Sequence, residues 1–196
     1  AFRFPVPVYL IEGNHEDFEH LEALCAQYAD CFTHLPRATV HTIAGWRLLA
    51  LGGVAYMDAH TTPMGSVVRP EDIDRCLLHP PAAVDVIITH DCPTGIGVAN
   101  SPGFEHYGPP GLPGSERLVR HFEPPLWIFG HHHRWFDARR GRTEFQGLAQ
   151  SWCGCAVLSR MEGYRAIPNP IPPRPSWTAR LWQGLARRSG RPADAP

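Results

Sequence analysis

Apolar residues gather in short runs along this chain, separated by polar, glycine-rich and proline-rich stretches. Three runs carry the argument: residues 6–11 (VPVYLI), 84–89 (VDVIIT) and 126–129 (LWIF). They are short, β-branched or aromatic, and bounded by Gly, Pro or polar residues, which is the signature of strands. The first leads into Glu12, Gly13, Asn14, His15 and Glu16, the second into His90, Asp91, Cys92 and Pro93, and the third into Gly130, His131, His132 and His133. Ligand sites of open α/β sheets lie at the C-terminal ends of strands, so these three ends are expected to share one site.

Helical spacing fills the intervals. Residues 16–28 place Phe18, Leu21, Leu24, Cys25 and Tyr28 three and four apart, predicting a helix with one apolar face. Residues 70–78 open with Pro and early acids, and residues 115–122 open with Ser after Gly114, expected to cap the helix. Residues 39–43 and 47–51 predict a hairpin around Gly45, and residues 143–148 and 155–159 a second strand pair. The alternation predicts a layered α/β domain. Residues 91–114 form a long Gly- and Pro-rich loop, a length that in compact domains is often functional. The expected division is a domain over 1–165 and a poorly ordered Pro/Arg-rich tail over 166–196, with a short basic helix over 178–188.

Composition narrows the class. The chain has 196 residues, 43% hydrophobic and 19% charged, which fits one soluble globular domain plus a tail. No run approaches the ~18 apolar residues of a membrane span, no signal peptide is apparent, and a cytoplasmic protein is expected. A net charge of −1 selects no acidic partner. The absence of Lys and the 21 prolines read as a GC-rich, bacterial coding bias. Six cysteines do not make a disulfide framework. Cys153 and Cys155 lack the second close pair that a structural zinc site needs.

Chemistry concentrates at the strand ends. Gly13 permits a sharp turn, Asn14 offers a neutral oxygen donor, and His15 is suited to proton transfer near neutral pH. Alone, this is also an ordinary strand-to-helix turn. His90 alone reads as a hydrogen-bonded edge residue. In an extended segment, His131 and His133 point the same way with His132 turned from them; adjacent imidazoles are costly to bury without a metal or hydrogen bonds. Together, Asn14, His90, His131 and His133 form the nitrogen-rich half of a metal site, a donor set acceptable to zinc, iron or manganese.

The ordered set Gly-Asn-His-Glu, His, Gly-His-X-His, spread over residues 6–159, resembles the second half of the calcineurin-like metallophosphoesterase signature. The resemblance implies a layered α/β (α+β) fold, a metallophosphoesterase β-sandwich flanked by helices. It implies two divalent metal ions, manganese, zinc or iron, about 3.5–4 Å apart. Asn14, His90 and His131 would ligate one and His133 the other, with His15 as proton donor. A metal-bound hydroxide would hydrolyse a phosphomonoester or phosphodiester. The run Thr89 to Ile96 (THDCPTGI), with His106-Tyr107-Gly108, is similar to lariat-debranching-enzyme-like members, whose bacterial relatives need not share the RNA substrate. The family's opening Asp-X-His and Gly-Asp-X-X-Asp motifs do not precede the Asn motif that begins at Gly13. The chain is therefore expected to be an N-terminally truncated fragment lacking its first strands, poorly soluble, and weakly active or inactive alone. Two other readings are a non-catalytic remnant binding one ion, and a nucleic-acid-binding module using Arg180, Arg187, Arg188 and Arg191.

Overall fold

The computed structural model describes residues 3–101 and 103–171. It divides into two compact units, Ala1–Gln150 and Ser151–Pro196. The first is a mixed α/β unit with a central sheet flanked by helices, the class the sequence predicts. Its elements are β1 (Tyr9–Leu10), α1 (Leu21–Gln27), β2 (Thr33–His34), β3 (Thr39–Ile43), β4 (Trp46–Leu51), α2 (Pro70–Leu77), β5 (Val86–Thr89), α3 (Ser115–Phe122), β6 (Leu126–Phe129), β7 (Phe136–Arg140) and β8 (Thr143–Gly147). The second unit contains a hairpin of β9 (Gly154–Ser159) and β10 (Gly163–Pro168).

Six strands make the central sheet in the order β3-β4-β5-β6-β8-β7. The four inner strands, β4, β5, β6 and β8, run parallel in a common register that aligns Leu51, Thr89, Phe129 and Gly147 in one row. β3 and β7 close the two edges as antiparallel partners. Most residues of β4, β5 and β6 are buried, as expected for parallel strands covered on both faces. β8 alternates buried and exposed positions, and the edge strand β7 carries Arg139 and Arg140 in solvent. The core is built from Leu49, Leu51, Ile87, Trp127, Phe129 and Phe145 of the sheet with Ile73, Cys76, Leu118 and Phe122 of α2 and α3.

Several expectations need correction. The first run forms only the two-residue β1, which pairs with β2 in a separate small sheet. α1 begins at Leu21 and buries none of its residues. Ahead of it, His20 N–H donates to the Asp17 carbonyl and the His20 ring meets the Asp17 carboxylate at 2.9 Å, a local turn that competes with helix. Ser115 does not cap α3. Its hydroxyl is buried and accepts from Thr94 N–H at 2.9 Å, tying the long loop to the helix. Residues 143–148 and 155–159 do not pair with each other: β8 lies between β6 and β7, and β9 pairs with β10. Ala166, Ile167 and Pro168, assigned to the tail, belong to β10. The rest of that tail beyond Ile171, with its expected helix and its arginines, lies outside the described residues.

Candidate metal centre

The common register of the parallel strands builds the site. Immediately beyond its aligned row come Gly52 after β4, His90 after β5, Gly130 and His131 after β6, and the turn to Gln150 after β8. The segment after β1 joins this edge through Gly53 N–H, which donates to the Glu12 carbonyl at 2.8 Å.

Glu12 fixes that segment. Its buried carboxylate meets His34 Nε2 at 2.9 Å and accepts from Arg37 Nε. Burial opposes ionisation of Glu12, but the His34 bond, its own backbone N–H and Arg37 outweigh it and hold the carboxyl below its ordinary value. Two residues on, Asn14 is 6% exposed, and its Oδ1 lies 3.2 Å from His90 Nε2. That same Nε2 lies 3.2 Å from Nδ1 of His131. Gly13 makes the approach possible: a Cβ there would sit 2.6 Å from His90 Cε1.

His90 Nε2 therefore stands beside two other electron-pair atoms, and in the tautomer that frees its lone pair it offers a nitrogen donor next to Asn14 Oδ1 and His131 Nδ1. Burial pushes His131 down to about 4 and also lowers His90, so both rings are neutral at pH 7. Neutral imidazoles beside an amide oxygen are the donor set a divalent transition metal takes. The residues present fit such an ion.

His133 and His15 stand differently. The Gln150 amide donates to His133 Nδ1 at 3.1 Å, a partner that gave no signal in the sequence. His15 lies beside Asn14, with 3.5 Å between its Nε2 and Asn14 Nδ2. Both line a cavity of about 610 Å³ together with Asn14 and His131.

The backbone of the histidine run differs from the one expected. The segment is not extended: His131 and His133 have φ of 63° and 56°, the left-handed region that costs a non-glycine residue about 1–3 kcal/mol. His132, expected to turn from the other two, points to Asp91. Its Nε2–H donates to Asp91 Oδ1 at 3.0 Å, and both side chains are largely buried. Asp91 also accepts from Cys92 N–H at 2.7 Å and Ala55 N–H at 3.1 Å. Behind it, Trp127 Nε1–H donates to Thr89 Oγ1 at 2.9 Å, and that hydroxyl donates to the Asp91 carbonyl at 2.6 Å. Burial resists ionisation of Asp91, but the His132 hydrogen bond, the nearby His131 and the Ala55 N–H hold its carboxyl below the ordinary range. Asp91, Cys92 and His132 bring donor atoms within 4.8 Å of one another. Burial raises the Cys92 thiol far above neutrality, and the Asp91 oxygens are already engaged, so this trio serves as a brace for the histidine turn.

Residues 1–135 match the profile of the calcineurin-like phosphoesterase family. The chain belongs to that family. No curated protein matches it. Among solved structures, one is 15% identical with a TM-score of 0.60, covering 84% of this chain and 66% of its own length. The protein TT1561 of Thermus thermophilus is 13% identical with a TM-score of 0.53, covering 83% of this chain and 72% of its own. The sulfate thiohydrolase SoxB of Thermus thermophilus, solved with glycerol, is 14% identical with a TM-score of 0.47 over 93% of this chain and 37% of its own, too distant to argue from. At these identities the first two show the fold alone. As a calcineurin-like phosphoesterase, the chain places its Asn-His cluster at the C-terminal edge of the parallel strands. Among the described residues, no helix is long and apolar enough to cross a membrane.

Proposed function

We propose that this chain carries the nitrogen-donor side of a metal-dependent phosphoesterase centre. Asn14 Oδ1, His90 Nε2 and His131 Nδ1 would hold one divalent ion. His133 would contribute to a second in the complete two-ion centre that hydrolyses a phosphomonoester or phosphodiester. When bound, such ions supply Lewis acidity to the phosphate and lower the pKa of water at neutral pH. The observation that carries the reading is His90 Nε2 lying 3.2 Å from both Asn14 Oδ1 and His131 Nδ1, with burial keeping the two rings neutral.

The chain's own groups have separable tasks. Asn14 and His90 brace one another, and the Asp91–His132 bond holds the turn that aims His131 at them. His15, exposed on the cavity wall beside Asn14, is proposed to deliver a proton to the departing alkoxide. The loop after His90 supports kinship with lariat-debranching-enzyme-like members, as a statement of descent and not of substrate. His133 is the donor in these residues that the resemblance assigns to the second ion, and the Asn14, His90 and His131 set is proposed to hold one ion by itself.

Calorimetric titration with Zn²⁺ or Mn²⁺, paired with release of 4-nitrophenol from 4-nitrophenyl phosphate, tests this. One ion per chain is expected, lost in His131→Ala. Undiminished ion uptake by His131→Ala would defeat the assignment.

A further inference from the structure

The cavity beside the Asn-His cluster has a lining of two kinds. The strand ends contribute Asn14, His15, Asp91 and His131 to His133; the loops contribute Tyr56, Phe104 and Tyr107 with Met57, His60 and a series of prolines. The three aromatic side chains are not core residues. Tyr56 is 53% exposed, Phe104 38% and Tyr107 37%, a large apolar area for solvent-facing loops. Phe104 and Tyr107 lie with ring centroids 6.0 Å apart.

Two loops hold this wall in place. Tyr107 Oη–H donates to the Asp58 carboxylate, which also accepts from His60 N–H and Thr61 N–H at 2.8 Å each. Asn100 Nδ2–H donates to the Gly108 carbonyl at 2.7 Å across the second loop. Its base is closed by Leu112 N–H to the Cys92 carbonyl at 2.8 Å. The aromatic wall is therefore anchored to the segment that carries His90.

Charge is the second independent observation. Among the described residues, neither Arg nor Lys lines the cavity. The carboxylates at its edge, Asp91 within and Asp58 behind Tyr107, are negative. A site for a polyanion neutralises successive phosphates with Arg or Lys. Here, among the described residues, the imidazoles gather at the Asn-His cluster with one more at His60, and rings stand where a neutral organic group would lie.

We infer that the site takes a small phosphate ester whose alcohol portion is a planar aromatic or heteroaromatic group stacked on Tyr56 and Phe104, and not a polynucleotide. The inference rests on the phosphoesterase reading for its phosphate and on the aromatic wall for its ring.

The test is binding, read apart from hydrolysis. Phenyl phosphate, n-butyl phosphate and a ten-nucleotide thymidine oligomer are titrated into the Zn²⁺-loaded full chain by ligand-observed saturation-transfer NMR. Phenyl phosphate should bind more tightly than butyl phosphate, with saturation strongest on its ring protons. Tyr56→Ala and Phe104→Ala, in exposed loop positions, should each weaken phenyl phosphate by about 5- to 100-fold, the scale of one ring stack, with the loss confined to that ligand. Equal affinity for butyl and phenyl phosphate overturns the inference. So does tighter, salt-sensitive binding of the oligomer, or aromatic variants that fold and bind phenyl phosphate unchanged. Ring-selective binding without hydrolysis of any ester would sink the activity and keep this inference. Hydrolysis of butyl and phenyl esters without preference would do the reverse.

Discussion

Gly13→Ala is a sharp perturbation because the backbone there does not need glycine. Gly13 lies outside the positive-φ region that disfavours side chains, so an added methyl acts through contact alone. The new Cβ would sit 2.6 Å from His90 Cε1 and 2.9 Å from both ring nitrogens. Ordinary contact for a Cβ begins near 3.4 Å, so the ring must retreat by about 1 Å. His90 cannot yield as a whole, because its carbonyl accepts from Gly130 N–H at 2.9 Å at the end of β5. The imidazole must swing instead. The same Nε2 sits 3.2 Å from Asn14 Oδ1 and from His131 Nδ1, and a further ~1 Å takes either pair beyond hydrogen-bond range.

The expected effects are a stability loss of about 1–3 kcal/mol from overpacking and an ion affinity weaker by about 10- to 100-fold. Gly130→Ala is the control. A Cβ at Gly130 would meet only the His90 carbonyl oxygen, at an ordinary 3.7 Å. That variant should melt and bind Zn²⁺ like the parent. Calorimetric titration and thermal melts on the two variants decide the matter. Wild-type affinity in Gly13→Ala, or equal damage from Gly130→Ala, would refute the claim that close packing of His90 on this turn builds the site.

Three further outcomes follow from the same contacts. His132→Ala removes a hydrogen bond to the ionised Asp91 and should lose about 1.5–3 kcal/mol in urea denaturation, together with ion affinity, because His131 and His133 lose their brace; a variant that keeps its affinity would show that the turn stands alone. Arg37→Met leaves the Glu12 carboxylate, 5% exposed, with His34 as its remaining side-chain partner and breaks Arg37 bonds to the Val67 and Gly65 carbonyls, so a loss of about 3 kcal/mol is expected; a change below about 1 kcal/mol, as for a surface pair, would mean the network is solvated. Burial pushes the Cys76 thiol up to about 12 and raises Cys92 further, while Cys155 is exposed, so iodoacetamide near pH 8 should label Cys155 in the folded chain and reach Cys76 and Cys92 only after denaturation; early labelling of Cys76, read by mass spectrometry, would contradict its burial.

Local pattern was enough to find α2, α3, β3 to β6 and the histidine-bearing strand ends, because each rests on a short-range signal: helix-start residues, a hairpin around Gly45, or a compact apolar run closed by polar residues. It was enough also for the family and for grouping Asn14, His90 and His131. His90 and His131 come together because parallel strands end in one row, and apolar strands followed at once by His are visible in one dimension; Asn14 reaches them from the separate β1 segment, held by the Gly53–Glu12 bond. The sequence could not show which way each histidine faces. That depends on the left-handed backbone at His131 and His133, held by an Asp91–His132 bond across two strand ends. It could not show that β8 sits beside β6 and brings Gln150 to His133, since strand order is set by long-range pairing and not by neighbouring residues. Nor could it show that Tyr56 and Phe104, 48 positions apart by their numbers, share a cavity wall. Exposed aromatics in loops carry no periodicity, and only the folding of both loops over the sheet edge brings them together.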